Sequence, residues 1–272
     1  MPVRQCHVSA RRLASTVSYD WQLHTTGTGA AVLLLHAFPY DSRMWDAQAA
    51  VLAASHRVIA PDMPGFRGAG AWNDTVSFDA WASSLLERLA ADGVRSATVA
   101  GCSLGGYLAF ALHRTSPDFI RSLALVDTRA VSDTPSRKAA RMADIKRVAL
   151  DGPAYFLAAA GKALADELDA YPSALAAAYS MLDGATGEGI VAALSAMAER
   201  PDASPQMTSI RVPTAVIHGS RDPIVSAAEA GALASAIDGA TYTEIDGAGH
   251  VPTFEHPGSV TAALTELLAR SA

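Results

Sequence analysis

The sequence predicts an α/β fold: a mostly parallel, doubly wound sheet flanked by helices, with an all-helical insertion. Short apolar runs, typical of buried strands, alternate with amphipathic helical stretches along most of the chain. The run at 31–36 is almost entirely apolar, as expected of a strand that helices cover on both sides. The alternation stops between residues 128 and 209, where no strand-like run occurs.

Turn-forming and helix-capping residues delimit the elements before that break. Alternating polar and apolar residues predict a hairpin or two edge strands within residues 3–25. Asp41 or Ser42 is a suitable N-cap for a helix that follows. The further elements predicted here are strands at 31–36, 57–60, 99–102 and 121–127, and helices at 43–54, 77–91 and directly after Ser103.

The break itself is too long for a connecting loop and is rich in alanine. We therefore predict a core domain made of residues 1–128 and 210–272, and a helical cap at 129–209. The predicted cap helices are 135–150, 153–168, 172–182 and 187–200. The core then resumes with strands at 214–219 and 241–245 and helices at 226–237 and 257–270.

The composition excludes several classes of protein. The net charge is −6 and no block of Lys and Arg is longer than Arg11-Arg12, which argues against nucleic-acid binding. No apolar run is long enough to span a membrane, and Met1–Leu13 lacks the apolar region of a signal peptide. The two cysteines, Cys6 and Cys102, lack the spacing of a metal site. We expect a cytoplasmic protein, monomeric or homodimeric, that acts on a small molecule without a metal.

The stretch around Ser103 has the pattern of a nucleophile elbow, in which a serine lies at a sharp turn between a strand and a helix. It reads Gly-Cys-Ser-Leu-Gly from Gly101 to Gly105. Side chains on either side of such a turn would collide, and glycine at both flanking sites removes them. The turn would hold the hydroxyl at a helix N-terminus, which favours negative charge.

A serine hydroxyl needs a neighbouring base, and in this architecture the expected chain order is Ser, Asp or Glu, His. His250 lies in a glycine-flanked loop after the last predicted strand, whereas His256 lies on the approach to a helix. Asp222 follows the strand at 214–219, and Asp127 follows an earlier strand and is the alternative acid. We favour Ser103, Asp222 and His250 as the catalytic residues, and we expect Asp246 to be structural.

An acyl-transfer mechanism also requires an oxyanion hole. One donor should be the backbone N–H of Leu104, directly after the nucleophile. The second should come from the loop after the strand at 31–36, where Phe38 offers its N–H. His36, at the start of that loop, is expected to be a buried scaffold residue.

Taken in order, these motifs resemble the landmarks of the α/β-hydrolase superfamily. The motifs are His-Ala-Phe-Pro at 36–39, Asp-Met-Pro-Gly-Phe at 62–66, Gly-Cys-Ser-Leu-Gly-Gly at 101–106, Gly-Ser-Arg-Asp-Pro at 219–223 and Gly-His at 249–250. Val-Asp-Thr-Arg-Ala at 126–130 is similar to the branch of small carboxylesterases, 3-oxoadipate enol-lactonases and cofactor-free haloperoxidases. The sequence departs from the superfamily pattern at Ala37 and Arg67, where glycine is usual.

The resemblance implies a serine hydrolase that cleaves an ester or lactone of a small, apolar substrate through an acyl-enzyme, without a cofactor. Relatives that cleave carbon–halogen bonds or epoxides carry Asp at the elbow, and this chain carries Ser103. C–C bond hydrolysis, perhydrolysis by the same triad and a slow-turnover receptor remain alternatives. The residues that we expect to contact the substrate are apolar or aromatic: Tyr40, Met142, Ile145, Phe156, Met181, Met197 and Val251.

Overall fold

The computed structural model of the chain describes residues 20–70, 77–154, 156–158 and 171–271. Its strands are β1 (Gln22–Thr26), β2 (Ala30–Leu35), β3 (His56–Asp62), β4 (Ala97–Cys102), β5 (Ile120–Val126), β6 (Thr214–Gly219) and β7 (Thr241–Ile245). Its helices are α1 (Asp46–Leu52), α2 (Phe78–Ala91), α3 (Leu104–Thr115), α4 (Pro135–Asp151), α5 (Pro172–Leu182), α6 (Gly187–Glu199), α7 (Ala227–Ala236), α8 (Pro252–Glu255) and α9 (Pro257–Ala269). Short 3₁₀ helices span Ser42–Trp45, Pro117–Phe119 and Ser204–Ser209.

The strands form one sheet in the order β1-β3-β2-β4-β5-β6-β7. Only the edge pair β1–β3 is antiparallel, and every other neighbouring pair is parallel. From β2 the chain goes to β3 on one side and then crosses to β4 on the other, so the strand order reverses at β2. Open α/β sheets bind ligands at the carboxyl ends of the strands beside such a reversal. The loops after β2 and β4 meet at this point.

Helices cover both faces of the sheet, which confirms the predicted doubly wound architecture. Successive side chains of a strand point to opposite faces. Accordingly, Leu33 and Leu35 of β2 belong to the core cluster that includes α2, α3 and α7. Val32 and Leu34 belong to the second cluster, beneath α1 and α9. The solid apolar run of β2 follows from this double burial.

The helices α4, α5 and α6 are inserted between β5 and β6, and no strand occurs in the described part of 128–209. Two backbone hydrogen bonds attach this insertion to the loop after β3: Arg67 N–H donates to the Gly184 carbonyl at 2.8 Å, and Thr186 N–H donates to the Gly65 carbonyl at 2.9 Å. The backbones approach so closely that a Cβ on Gly189 would overlap Gly65. Arg67, at the site where glycine is usual, adopts a positive φ of 47°.

Several element boundaries differ from the predictions for local reasons. The predicted helix at 43–54 begins as the 3₁₀ turn Ser42–Trp45, whose N-cap is Asp41, and α1 follows. The short helix α8 was not predicted. Most of the predicted hairpin within 3–25 lies in residues 1–19, which are outside the described residues. Most of the predicted helix at 153–168 is also outside them, because residues 155 and 159–170 are not described.

Among the described helices, none is both long and apolar enough to cross a membrane.

Candidate active site

Ser103 lies between β4 and α3. Its backbone has φ 51° and ψ −111°, a conformation that residues other than glycine rarely adopt. The turn is crowded on both sides. A Cβ on Gly101 would overlap the carbonyl of Gly105, and a Cβ on Gly105 would overlap the carbonyl of Leu35 in β2. The two glycines that the motif places here are therefore required by direct contacts.

Thr128 holds this turn from the far side, a role that no local pattern in the sequence indicates. Its hydroxyl donates to the Ser103 carbonyl at 2.8 Å. Its side chain occupies the space that a Cβ on Gly106 would need. The Ser103 N–H in turn donates to the Val126 carbonyl at 2.9 Å. The strained turn is thus fixed by the last residue of β5 and by the segment that follows it.

The three residues favoured as catalytic are brought together in a hydrogen-bonded row. His250 Nε2 lies 2.9 Å from Ser103 Oγ, and His250 Nδ1 lies 2.8 Å from Asp222 Oδ2. An ionised carboxylate only accepts hydrogen bonds, so Nδ1 carries the proton and Nε2 can accept the hydroxyl proton of the serine. The side chain of Asp222 is fully buried and that of His250 is 9% exposed.

Asp222 is held by its own loop. Its Oδ1 accepts hydrogen bonds from the backbone N–H groups of Ile224 at 2.7 Å and Val225 at 3.0 Å. Burial by itself would raise the pKa of Asp222, but the hydrogen bond and positive charge of His250, with the two backbone donors, lower it below the usual value. The carboxylate is therefore ionised at neutral pH and oriented towards the imidazole.

The rival residues have other partners. Asp127, buried at the end of β5, accepts hydrogen bonds through Oδ1 from His218 Nδ1 and from the Gly219 N–H, both at 2.9 Å. His256 Nε2 lies 3.0 Å from the Tyr171 hydroxyl. Through its hydrogen bond from the Gly219 N–H, Asp127 binds the start of the loop that carries Asp222.

The side chains of Asp127, His218 and Asp222 are close enough to be tested as a metal site. One potential ligand atom from each lies within 4.8 Å of the others. Asp222 and His218 nevertheless already have hydrogen-bond partners, in His250 and Asp127 respectively. A metal here would compete with the bond that orients His250, so the hydrogen-bonded arrangement accounts better for these three residues.

The raised pKa of Asp127 leads us to expect that the stability of the protein depends on pH. Burial raises its pKa to about 6 in the folded protein, against the opposing hydrogen bond from His218. Between roughly pH 4 and 6 the folded state therefore binds a proton that the unfolded state releases, so this group's contribution to stability falls as pH rises. We expect the free energy of unfolding of the wild type, relative to Asp127→Asn, to decrease from pH 4 to pH 7 in urea titrations.

The surface substitution Asp246→Asn, in the loop after β7, is the matched control and should leave that pH dependence unchanged. A difference between wild type and Asp127→Asn that grows with pH would show that Asp127 is ionised throughout, contrary to this expectation.

The loop after β2 carries the expected second oxyanion donor and is built rigidly. His36 is fully buried; its Nδ1–H donates to the Ala37 carbonyl at 2.9 Å, and its Nε2 accepts the Met63 N–H at 3.0 Å. This agrees with the scaffold role expected for His36. In the described residues, no hydrogen-bond acceptor is bound by the N–H of Phe38 or of Leu104. Both donors are therefore free to bind a substrate oxygen.

The expected substrate-contacting residues fall into groups. Phe156 of the insertion packs against Phe38, with ring centroids 5.5 Å apart. Phe38 in turn contacts Phe66 at 6.1 Å. Met142 is 46% exposed and lies at the surface of the insertion. The others are buried or partly buried, Ile145 and Met197 in one core cluster and Tyr40, Met181 and Val251 in the other. Their contact with substrate stays a prediction.

Comparison with known proteins finds esterases that are similar to this chain in sequence and in fold. The pimeloyl-(acyl-carrier protein) methyl ester esterase of Aromatoleum aromaticum is 30% identical over 239 residues, covering 83% of this chain and 93% of that protein. A thermophilic esterase from Thermogutta terrifontis superposes with a TM-score of 0.88 at 34% identity, covering 93% of this chain and 94% of the other.

The enol-lactonase from Burkholderia xenovorans LB400 superposes with a TM-score of 0.83 at 24% identity, covering 94% and 99% of the two chains, and shares the fold. The family model described as the alpha/beta hydrolase fold matches residues 30–257. With its mostly parallel sheet and the strand–turn–helix at Ser103, this chain belongs to the alpha/beta hydrolase family.

Proposed function

We propose that this hydrolase cleaves a carboxylic ester or lactone through a covalent acyl-enzyme formed on Ser103. The observation that carries the proposal is the continuous row of hydrogen bonds from Asp222 through His250 to Ser103. This row supplies a nucleophile, its base and the group that orients the base, which are the parts that acyl transfer requires.

In the proposed first step, His250 Nε2 removes the hydroxyl proton as Ser103 Oγ attacks the substrate carbonyl. Negative charge then develops on the carbonyl oxygen. The N–H groups of Phe38 and Leu104 would stabilise that charge, helped by the N-terminus of α3. One such donor is worth roughly 2.7–4 kcal/mol of transition-state stabilisation. Asp222 stabilises the imidazolium that forms.

The second half of the reaction reverses these proton transfers. The imidazolium protonates the leaving alcohol, the C–O bond of the tetrahedral intermediate breaks, and the acyl group remains on Ser103. His250 then deprotonates a water molecule, which attacks the acyl-enzyme and releases the carboxylic acid. No residue beyond those already placed at the site is needed.

We infer that residues 129–209 act as the cap over this site and make it selective for small, apolar acyl or alcohol groups. Two observations support the inference. The insertion leaves the sheet at the carboxyl end of β5, the edge that carries Ser103, and Phe156 packs against Phe38 of the oxyanion loop. An apolar cover would exclude water and select substrates by shape.

The names of the similar proteins support ester chemistry, because two of them are described as esterases. The test is turnover of a series of aryl esters and of simple lactones by the purified protein. Steady hydrolysis with many turnovers supports the proposal. Saturable binding of the same esters without turnover would instead indicate a receptor built on a hydrolase fold.

The proposed cap can be tested by substituting Phe156, which packs against Phe38 of the oxyanion loop. Phe156→Ala should change the preference among acyl chain lengths by several fold, because it opens the wall beside Phe38. The rate with the shortest ester should change little, since a short acyl group does not reach that wall. The measurement is kcat/KM for acetate, butyrate and octanoate aryl esters.

Leu150→Ala provides the matched control. Leu150 lies on α4 of the same insertion but is 82% exposed, so its removal should leave the chain-length profile as it was. Equal profiles for wild type and Phe156→Ala would mean that the cap does not line the acyl site.

A further inference from the structure

A cleft away from the candidate active site lies between α7 and the segments on either side of the insertion. Its volume is about 290 Å³. One wall is formed by Arg129 and Val131 after β5, the opposite wall by α7, and the 3₁₀ helix Ser204–Ser209 contributes Met207. None of the residues that line it belongs to the triad or to the oxyanion loop.

The lining of this cleft follows from the sequence of α7. Glu229, Ala232, Leu233 and Ala236 line it, with the i, i+3, i+4, i+7 spacing of one helix face. Leu233 and Met207 are buried and form an apolar floor. Ala232 and Ala236 are exposed alanines that leave the groove open above that floor. The lining is therefore apolar apart from one acidic and one basic group and a serine.

The basic group is Arg129, which is only 4% exposed although it carries a full charge. Its Nη1 lies 3.1 Å from Glu229 Oε1, and its Nη2 donates to the Ile224 carbonyl. Its Nε is buried and has no hydrogen-bond partner among the described residues. An unpaired buried donor is costly, and a guanidinium has the geometry to bind a carboxylate through two N–H groups. The guanidinium that lines the cleft therefore has one N–H group without a partner among the described residues.

We propose that this cleft is a binding site for a small aliphatic carboxylate. The alkyl chain would lie on Leu233 and Met207, between the two alanines of α7, and the carboxylate would bind the Arg129 guanidinium. The volume lies at the lower end of small-molecule sites, which suits a short or medium chain. Arg137 adds a second positive charge nearby, since its Nη2 lies 3.4 Å from the Ile224 carbonyl that Arg129 also binds.

Occupancy of the cleft would reach the candidate active site through one residue. The Ile224 carbonyl accepts from Arg129, while the Ile224 N–H donates to Asp222. A carboxylate that redirects Arg129 therefore acts on the loop that holds the catalytic acid. The binding site itself does not depend on the proposed ester hydrolysis.

The test is calorimetric titration of sodium octanoate into the wild type and two single variants of α7. Ala232→Phe fills the cleft and should weaken binding about tenfold or more, which corresponds to about 1.4 kcal/mol. Ala228→Phe places the same side chain on the same helix, outside the lining, and should bind as the wild type does. Octanoate that also enters the site at Ser103 would do so equally in all three proteins.

Glu229→Gln is the second arm. Glutamine can keep the hydrogen bond that Glu229 Oε2 accepts from the Ser226 N–H at the start of α7, but it removes the negative charge that competes for Arg129. Octanoate should therefore bind about fivefold more tightly than to the wild type, as expected for the loss of about 1 kcal/mol of repulsion.

The probes 1-octanol and octylammonium test whether the cleft requires a negatively charged head group, since they replace the carboxylate of octanoate with an uncharged and a cationic group. Weaker binding of both than of octanoate, with the variant pattern above, supports the proposal. It would be overturned by equal octanoate affinity of wild type and Ala232→Phe, by no gain in Glu229→Gln, or by a preference for either uncharged or cationic probe. Circular dichroism and melting temperatures establish that each variant is folded.

Discussion

Ser103→Ala is expected to lower kcat for aryl esters by roughly 10⁴- to 10⁶-fold, the range seen when a triad nucleophile is removed. The acyl-enzyme cannot form without Oγ, because Oγ is the atom that would bond to the acyl carbon. His250 Nε2, 2.9 Å from Oγ in the wild type, would also have no hydroxyl to deprotonate. Binding of substrate should persist, since the N–H donors at Phe38 and Leu104 belong to the backbone. The measurement is kcat and KM, with mass spectrometry for acyl or phosphonyl adducts.

The fold of that variant should be unchanged. Alanine retains the Cβ of serine, and the turn is held by backbone contacts and by Thr128. Ser83→Ala, an exposed site on α2, serves as the control for a serine lost elsewhere. Substantial turnover by a folded Ser103→Ala protein, confirmed by circular dichroism, would remove Ser103 from the proposed mechanism.

Asp222→Asn is expected to lower kcat by roughly 10⁴-fold, as removal of the orienting carboxylate does in other triads. The amide would present a neutral group to His250 Nδ1 and favour the wrong tautomer at Nε2. It would also leave the imidazolium without its counter-charge. The backbone bonds from Ile224 and Val225 can still reach the amide oxygen, so the loop should stay folded.

Asp127→Asn is the discriminating comparison. Because its hydrogen bonds run to His218 and Gly219, its loss should reduce kcat far less than the loss of Asp222 does. If the larger loss came from Asp127→Asn, the catalytic acid would lie after β5 and not after β6. Thermal melts of both variants separate lost activity from lost stability.

The sequence by itself determined the features that depend on neighbouring residues. The strands β6 and β7 and the helix α5 have the predicted bounds, because breakers flank each of them and their apolar pattern is local. The nucleophile elbow is equally local, since its glycines answer to the tightness of a single turn. The chain order of Ser103, Asp222 and His250 was readable for a related reason. Each follows a strand end, and parallel strands bring those ends to one edge of the sheet.

Only the tertiary structure decided what depends on contacts between distant segments. The sequence favoured Asp222 over Asp127 as the partner of His250, but both follow adjacent strands, and only the packed loops show that Asp222 contacts His250 while Asp127 contacts His218. The support of Ser103 by Thr128 and the packing of Phe156 against Phe38 likewise join segments that no local pattern links.

The cleft at Arg129 belongs to the same group. The spacing of Glu229, Ala232, Leu233 and Ala236 was present in the sequence, but an alanine on a helix face is unremarkable until its surroundings are known. This helix face becomes one wall of a cleft only because a buried guanidinium, about 100 positions earlier in the chain, packs against it. Local propensity specifies elements and caps; side-chain partners across the sheet are specified only once the whole chain is packed.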